Sequence, residues 1–479
     1  MALASPPTAC PATCEAPPSL ALPKAEALAT AQQLSNQMEA DITAYSRLDD
    51  EGLRRALNVD LTTYPSVTQR QLYEPLLSET DRLLVWPVAK AFTSRWLGLK
   101  RQPVMMTHIV TTRCNYSCGF CCYADSLNNK TNELSAEELR KVYATTGGAL
   151  NTLVFSGGET TLHKELPEII EAAYELTPVQ SVYIISNAWK PELLMQITHR
   201  IMQTCPGLHL TWSLSIEGPK AHNNSVRYTQ RQGWDAWQNT IDTLFGLKAM
   251  RERFNYSHLD VQLCTVCTPD NEAILPVWYR YVRDVLRPDK WNLNLMRKSV
   301  QMSDIPLEDF SQRRQQSTTL EPFEQRYLEV TKQVQHDVLS GKLRFLYHTQ
   351  SAMDGAMKSA VDLLSHQANR DTVLQNKPSF TCQAGSYGAF LGADGVIGGC
   401  EEFALNPTDN KALGNVRDVG YDFQALWQSD KAKQLRACAG KSTECNGCTL
   451  ESQRNYPSIL VCLKPLIQAG KLGAAILNS

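Results

Sequence analysis

The tightest constraint on how this chain folds is a change of pattern near residue 104, where short apolar runs begin to alternate with amphipathic helical stretches. That alternation is the signature of a parallel sheet whose strands are joined by crossover helices. The expected strands are His108–Thr112, Leu153–Ser156, Val182–Ser186, Leu210–Ile216, Val261–Val266 and Trp291–Met296. Between them, Ser135 and Glu138 make a capping box before Leu139 and Val142, and Leu166, Ile169, Ile170 and Ala173 form one apolar stripe. Trp234, Trp237, Ile241 and Leu244 form another, and Leu275, Trp278, Val282 and Val285 a further one. The tryptophans therefore read as core, packed against the sheet.

The rest of the chain is divided around this pattern. Residues 1–23, rich in Pro, Ala and Ser, read as a disordered tail, and 24–103 as a helical region with Leu34, Met38, Ile42 and Tyr45 at helical spacing. Nothing there resembles a winged-helix peptide-binding module. Residues 104–300 form the strand–helix core, and 301–378 a polar bridging segment with the stripe Phe323, Tyr327, Val330, Val334 and Val338. Residues 379–465 make a small cysteine-rich domain, too thin in apolar residues to rest on burial alone, and 466–479 a C-terminal tail.

Charge is balanced, 47 Lys and Arg against 49 Asp and Glu, so no strong field points to nucleic acid or an anionic membrane. No apolar run approaches the roughly 20 residues that span a bilayer. With no secretory signal either, the expected compartment is the cytoplasm. Fifteen cysteines are many for such a chain, and without export a disulfide framework gives way to metal binding or catalysis.

The first group, Cys114, Cys118 and Cys121, forms a C-x3-C-x2-C array on the loop leaving the first strand. Three thiolates can hold three irons of a 4Fe–4S cube and leave the fourth open to a reactant. Zinc is the competing occupant, with Cys122 as fourth ligand, but adjacent cysteines grip one ion poorly, since paired ligands in zinc sites are usually two to four residues apart. Here the chain resembles the radical S-adenosylmethionine (SAM) superfamily, in which C-x3-C-x-aromatic-C follows the first strand of a partial β/α barrel; Phe120 takes the aromatic place. The resemblance implies an α/β fold, a partial (β/α)6 TIM-like barrel, with the site at the strands' C-terminal ends.

It also implies a set of SAM contacts. Gly157, Gly158 and Glu159 match the motif that meets the methionine amino group, although Thr160 stands where the family usually has proline. Ser186 and Arg227 would bind the SAM carboxylate and Ser213 or Ser215 would face its ribose, with Asn187, next to Ser186, a further cofactor-binding candidate. Cys264 and Cys267 are no metal pair, because positions three apart on a strand face opposite sides; with Cys205 they read as small buried residues. Cys10 and Cys14 fall in the tail.

The second group comprises Cys382, Gly395 and Cys400, and later Cys438, Cys445, Cys448 and Cys462. It resembles the SPASM and twitch extensions of radical SAM enzymes, which bind auxiliary 4Fe–4S clusters. One auxiliary cluster held by Cys382, Cys400, Cys445 and Cys448 is the expected arrangement, with Cys438 and Cys462 as alternates. Four thiolates by themselves suit zinc equally well.

The activity implied is reductive cleavage of SAM to a 5′-deoxyadenosyl radical, which takes a hydrogen atom from a small-molecule natural product or metabolite, in a net oxidation if the auxiliary cluster accepts an electron. The alternatives are maturation of a ribosomal peptide or protein side chain, and a non-catalytic zinc-binding interaction protein. An electron donor such as flavodoxin or ferredoxin is the implied partner. Arg297, after the sixth strand, and Glu401 and Glu402, beside Cys400, are the candidates for substrate contact.

Overall fold

The computed structural model describes residues 101–229, 233–297, 320–343, 352–377, 379–404, 412–441, 445 and 448–478. The expected tail and helical region before residue 101 lie outside these. Six parallel strands follow in order, β1 (Met105–Thr111), β2 (Thr152–Gly157), β3 (Ser181–Ser186), β4 (His209–Ser215), β5 (Leu259–Cys267) and β6 (Lys290–Leu295). They coincide with the six expected strands, with β1 starting at Met105 rather than His108.

Helices α1 (Ala136–Thr145), α2 (Leu166–Leu176), α3 (Pro191–Thr204), α4 (Ala236–Phe254) and α5 (Leu275–Tyr281) connect them. Ser135 and Glu138 form the capping box that starts α1, and Asp235 caps α4 by accepting from Gln238 N at 3.0 Å. Val182 and Ile184 of β3, Leu210, Trp212 and Leu214 of β4 and Val261 and Leu263 of β5 point outward into one core shared with the helices. The intervening residues point inward, among them Tyr183, Ile185, Ser213, Gln262, Cys264, Asn292 and Asn294, and line a cavity of about 310 Å³. The strands thus follow the two-residue period, with an apolar outer set and an inner set that mixes polar with apolar residues.

The sheet does not close on itself. Its order is β6-β5-β4-β3-β2-β1-β7-β8-β9, where β7 (Gly388–Leu391) pairs in parallel with β1 and β8 (Val396–Gly398) and β9 (Gly414–Asn415) continue antiparallel. The cysteine-rich part is therefore hydrogen-bonded onto the free edge of the barrel. Arg417 strengthens the joint, donating to Glu138 Oε1 at 2.8 Å and to the carbonyls of Asn132 and Asp394 at 2.9 Å each. Its guanidinium holds the Glu138 carboxyl down to about 2.

At the other end of the barrel, Lys290 Nζ donates to Asp362 Oδ1 at 2.6 Å, and Tyr456 OH donates to the same oxygen. These buried contacts bind β6 to α7 (Ala352–Gln375) and to the C-terminal segment. Helix α6 (Pro322–Leu339) buries Phe323, Tyr327, Val330, Val334 and Val338. Of residues 466–479, expected as a tail, 466–477 belong to helix α8 (Leu463–Leu477). Ala469, Gly473 and Ile476 are spaced along one helix face, and Gly473 lets Ala360 of α7 approach to 3.8 Å of where a Cβ would stand. Among the described residues no helix is long and apolar enough to cross a membrane.

Phe390 of β7 is fully buried against Ile109 of β1 and Ala393. Phe390→Ala is expected to cost about 3–5 kcal/mol, measured as a shift of the denaturation midpoint, because it empties the seam between barrel and cysteine-rich domain.

Candidate active site

The loop after β1 is held from several sides. Cys114 N donates to Asn128 Oδ1 at 2.9 Å, Ser117 N to Tyr228 O at 2.8 Å, and Cys121 N to Cys118 O at 3.1 Å. Tyr116 is buried beneath it and accepts from Trp234 Nε1 at 2.7 Å. Trp234 also stacks on Trp189, with ring centroids 6.1 Å apart. It precedes α4 and braces the cysteine loop, so the expectation that it packs in the sheet core is corrected; an indole N–H needs a polar partner, and Tyr116 supplies one.

Cys114, Cys118 and Cys121 share one small volume. Two of them would feel a neighbour's negative charge: Cys121 acts on Cys114, and both act on Cys118. Burial pushes Cys114 up to about 11 and Cys118 up to about 12, so both thiols are protonated in the metal-free protein. Arg227 opposes this, with Nη1 3.9 Å from Cys118 Sγ and its guanidinium 5.6 Å from the Phe120 ring centre. Cys122 acts on Tyr123 instead. Among the described residues, no three His, Cys, Asp or Glu side chains gather closely enough for a single metal ion.

The glycines after β2 are required by close approach. A Cβ on Gly158 would stand 2.1 Å from Arg113 O, and one on Gly157, at φ +143°, 2.3 Å from Thr111 O. The strand end is thereby seated directly on the cysteine loop, and Glu159 N donates to Arg113 O at 2.7 Å. The Glu159 carboxylate is completely buried and accepts from Ser186 Oγ at 2.7 Å, Asn187 N at 2.6 Å, Thr161 N at 3.1 Å and Thr161 Oγ1 at 2.5 Å. It ties the end of β2 to that of β3, and Ser186 serves the same tie. Asn187 Nδ2 reaches Asn115 Oδ1 at 2.9 Å and lies 4.0 Å from Cys114 Sγ. Arg227 is buried and paired with Glu217, Nε to Oε1 at 3.1 Å. Ser213 and Ser215 share one strand face, and Ser213 lines the cavity.

Across the cavity, Arg297 pairs with Glu401, which also accepts from Tyr123 OH at 2.9 Å. All three line the same space. The side chain of Glu402 lies outside the described residues. Tyr123, Asn292 and Asn294 escaped the sequence reading. The two asparagines carry a usable signal, polar residues at alternate positions of an otherwise apolar strand; Tyr123 carries none, because only the fold brings it to Glu401. Cys264 faces the cavity and accepts from Asn294 Nδ2 at 3.3 Å, a correction to its expected place in the core, whereas Cys205 and Cys267 are buried.

In the second group, burial pushes Cys382 up to about 12, and the charges of Cys448 and Cys445 add to the effect. Cys400 packs with Cys382 and Cys448 around Ala384 and Leu450. Gly440, at φ +73°, lies so close that its Cβ would meet Cys382 Cβ at 2.7 Å. Cys438 is exposed and donates to Leu435 O of its own helix, while Cys462 packs beside Val104, Met105 and Tyr387.

Residues 108–245 match the family model of the radical SAM superfamily, and residues 382–449 match SPASM, an iron-sulfur cluster-binding domain. The chain thus contains a radical SAM domain and, C-terminal to it, a SPASM domain, and the cofactors that these two domains take are SAM and 4Fe–4S clusters, an auxiliary one included. The second match favours iron over zinc. GTP 3′,8-cyclases of Mycobacterium ulcerans (strain Agy99) and Mycobacterium marinum (strain ATCC BAA-535 / M) are each 34% identical over 82 residues, which is 16% of this chain and 23% of the relatives' length. Among solved structures, native anSMEcpe with bound AdoMet is 15% identical with a TM-score of 0.47, over 78% of this chain and 99% of that one. Streptococcus suis SuiB bound to S-adenosylmethionine is 14% identical with a TM-score of 0.49, over 76% of this chain and 74% of that one.

Gly158→Ala drives a Cβ into backbone that cannot yield as a side chain would. It is expected to displace the loop carrying Cys114 and to lower iron retained after anaerobic reconstitution by at least half of the first cluster's share, with the far-UV circular dichroism unchanged.

Proposed function

We propose that this protein cleaves SAM reductively and removes a hydrogen atom from a small-molecule natural product or metabolite held inside the barrel, in a net oxidation. The observation that carries this reading is the cavity itself. It runs from Ser156 and Ser213, at the expected SAM end, to Glu401, whose chain neighbour Cys400 belongs to the second thiol group. Its volume of about 310 Å³ is at the small end of ligand pockets, and its lining mixes Asn, Ser and Thr with Val154, Tyr183 and Ile185.

In this reading Cys114, Cys118 and Cys121 hold the first cluster, and Cys382, Cys400, Cys445 and Cys448 the auxiliary one. The backbone and side chains of Gly157, Gly158, Ser186, Asn187, Ser213, Ser215 and Arg227 surround SAM, Ser213 from the cavity lining, with Glu159 fixing the strand ends that carry the others. Bound there, the first cluster and SAM supply a 5′-deoxyadenosyl radical for hydrogen-atom abstraction, and the auxiliary cluster an acceptor for the second electron. Glu401 accepts the proton that a substrate hydroxyl or amine loses as its carbon is oxidised. Arg297 and Tyr123 aim that carboxylate and stabilise its charged form. The outward apolar layer keeps water from reaching the cavity through the sheet. A cytoplasmic flavodoxin or ferredoxin supplies reducing electrons.

The test is 5′-deoxyadenosine release, followed by mass spectrometry after anaerobic reconstitution with SAM and a strong reductant. Release is expected from the natural chain and abolished in the variant with Cys114, Cys118 and Cys121 changed to Ala. With a substrate found by its stimulation of release, Glu401→Gln is expected to lower oxidised product by about 10²-fold. Stimulation by peptides alone, with no response to small metabolites, would replace the small-molecule reading.

A further inference from the structure

Arg454 stands in the C-terminal segment after Cys448 and is 1% exposed, one of the largest fully buried side chains. Its guanidinium donates to the carbonyl oxygen of Cys448, to Asn455 Oδ1 at 2.9 Å, to Thr372 Oγ1 at 3.2 Å and to Asn369 Oδ1 at 3.3 Å. Every one of these acceptors is neutral. A guanidinium stays charged in proteins, and a buried charge is costly unless an opposite charge accompanies it.

Glu451 does not play that part. Burial pushes its carboxyl towards the neutral acid despite the pull of Lys290 and Arg454, and Oε1 is occupied by Asn369 Nδ2 at 2.9 Å. The Cys448 carbonyl that Arg454 holds sets its guanidinium next to the second thiol group, where Cys382, Cys400 and Cys448 pack around Ala384 and Leu450. A 4Fe–4S cube ligated by four thiolates is anionic and gains a further negative charge on reduction, and local charge and hydrogen bonds are what set its potential.

We infer that Arg454 is the counter-cation of the auxiliary cluster, fixing Cys448 through its carbonyl and raising the cluster's reduction potential by stabilising the reduced form. This rests on the assignment of Cys382, Cys400, Cys445 and Cys448 as the ligands. A raised potential makes the second cluster the better electron acceptor, which is what a net oxidation in the barrel requires. Arg454 is a positioning and tuning residue; it does not touch the cavity's reacting groups.

The full chain with Cys114, Cys118 and Cys121 changed to Ala isolates the second cluster. After anaerobic reconstitution, iron content is measured first and the midpoint potential second, by a dithionite titration followed by electron paramagnetic resonance. In this background Arg454→Gln is expected to lower the midpoint by about 59 mV or more, a tenfold change in the reduction equilibrium of a one-electron couple. Arg454→Lys, which keeps the charge, is expected to retain most of the natural value. Thr372→Val, which removes a neutral acceptor only, is expected to leave it unmoved.

Full iron with an unmoved midpoint in Arg454→Gln overturns the inference, as does an equal fall in Thr372→Val. Should Arg454→Gln not take up iron, Arg454→Lys carries the comparison: a midpoint near the natural one supports a charge effect, and one lowered by about 59 mV refutes it. Absence of iron from the background protein refutes the ligand assignment and takes this inference with it, whereas iron present with an unmoved midpoint refutes the inference alone.

Discussion

In each barrel strand one residue in two turns outward to a helix and the next turns inward, and the chain loads the two sets differently. The outward set is Val, Ile, Leu, Phe and Trp, buried in a single core, and its burial is what holds the helices to the sheet. The inward set is mixed, with Ser, Thr, Asn and Gln among Met105, Val154, Tyr183 and Ile185, and it leaves a cavity where a closed eight-stranded barrel is filled with side chains. Ile185 shows the result: a β-branched apolar residue on a central strand, it remains 37% exposed because it borders the cavity. The cavity, and every residue that faces it, follows from this unequal loading.

An open barrel leaves an edge, and an unpaired edge strand must be covered. Here β7 covers it by pairing with β1, which brings Cys400 and Glu401 to the same end of the sheet as the Cys114 loop. Arg417 at one end and the Lys290–Asp362–Tyr456 contacts at the other keep the added unit from pivoting. The two thiol groups are therefore set in one rigid frame by hydrogen bonds, with the cavity between them.

Buried charge organises the loop ends. Glu159 spends its carboxylate on the end of β3, and Glu217 spends its own on Arg227 and on Val266 N at 2.7 Å. Burial raises both carboxyls, while the hydrogen bonds to Glu159 and the Arg227 guanidinium beside Glu217 oppose the rise. The consequence is placement: strand ends, Arg227 and the cysteine loop are held where a cofactor could meet them all. The geometry makes Glu159 and Ser186 part of the scaffold that joins the ends of β2 and β3.

Much of this was legible without coordinates. The six strands, their helices, the capping box at Ser135 and the first cysteine trio are local patterns, set by side-chain period and by spacing along a few residues. The helix at Leu463–Leu477 was missed because its small residues signal packing only once α7 is opposite them. Trp234, Tyr123 and Cys264 were misplaced or overlooked for the same reason, since their partners Tyr116, Glu401 and Asn294 are distant in the chain. The sequence by itself determined the class of fold, the first thiol array and the presence of a second. Only the tertiary structure decided which strand faces enclose a cavity, which edge receives the cysteine-rich domain and which buried cation lies beside its thiols, because those depend on contacts between segments that no local period records.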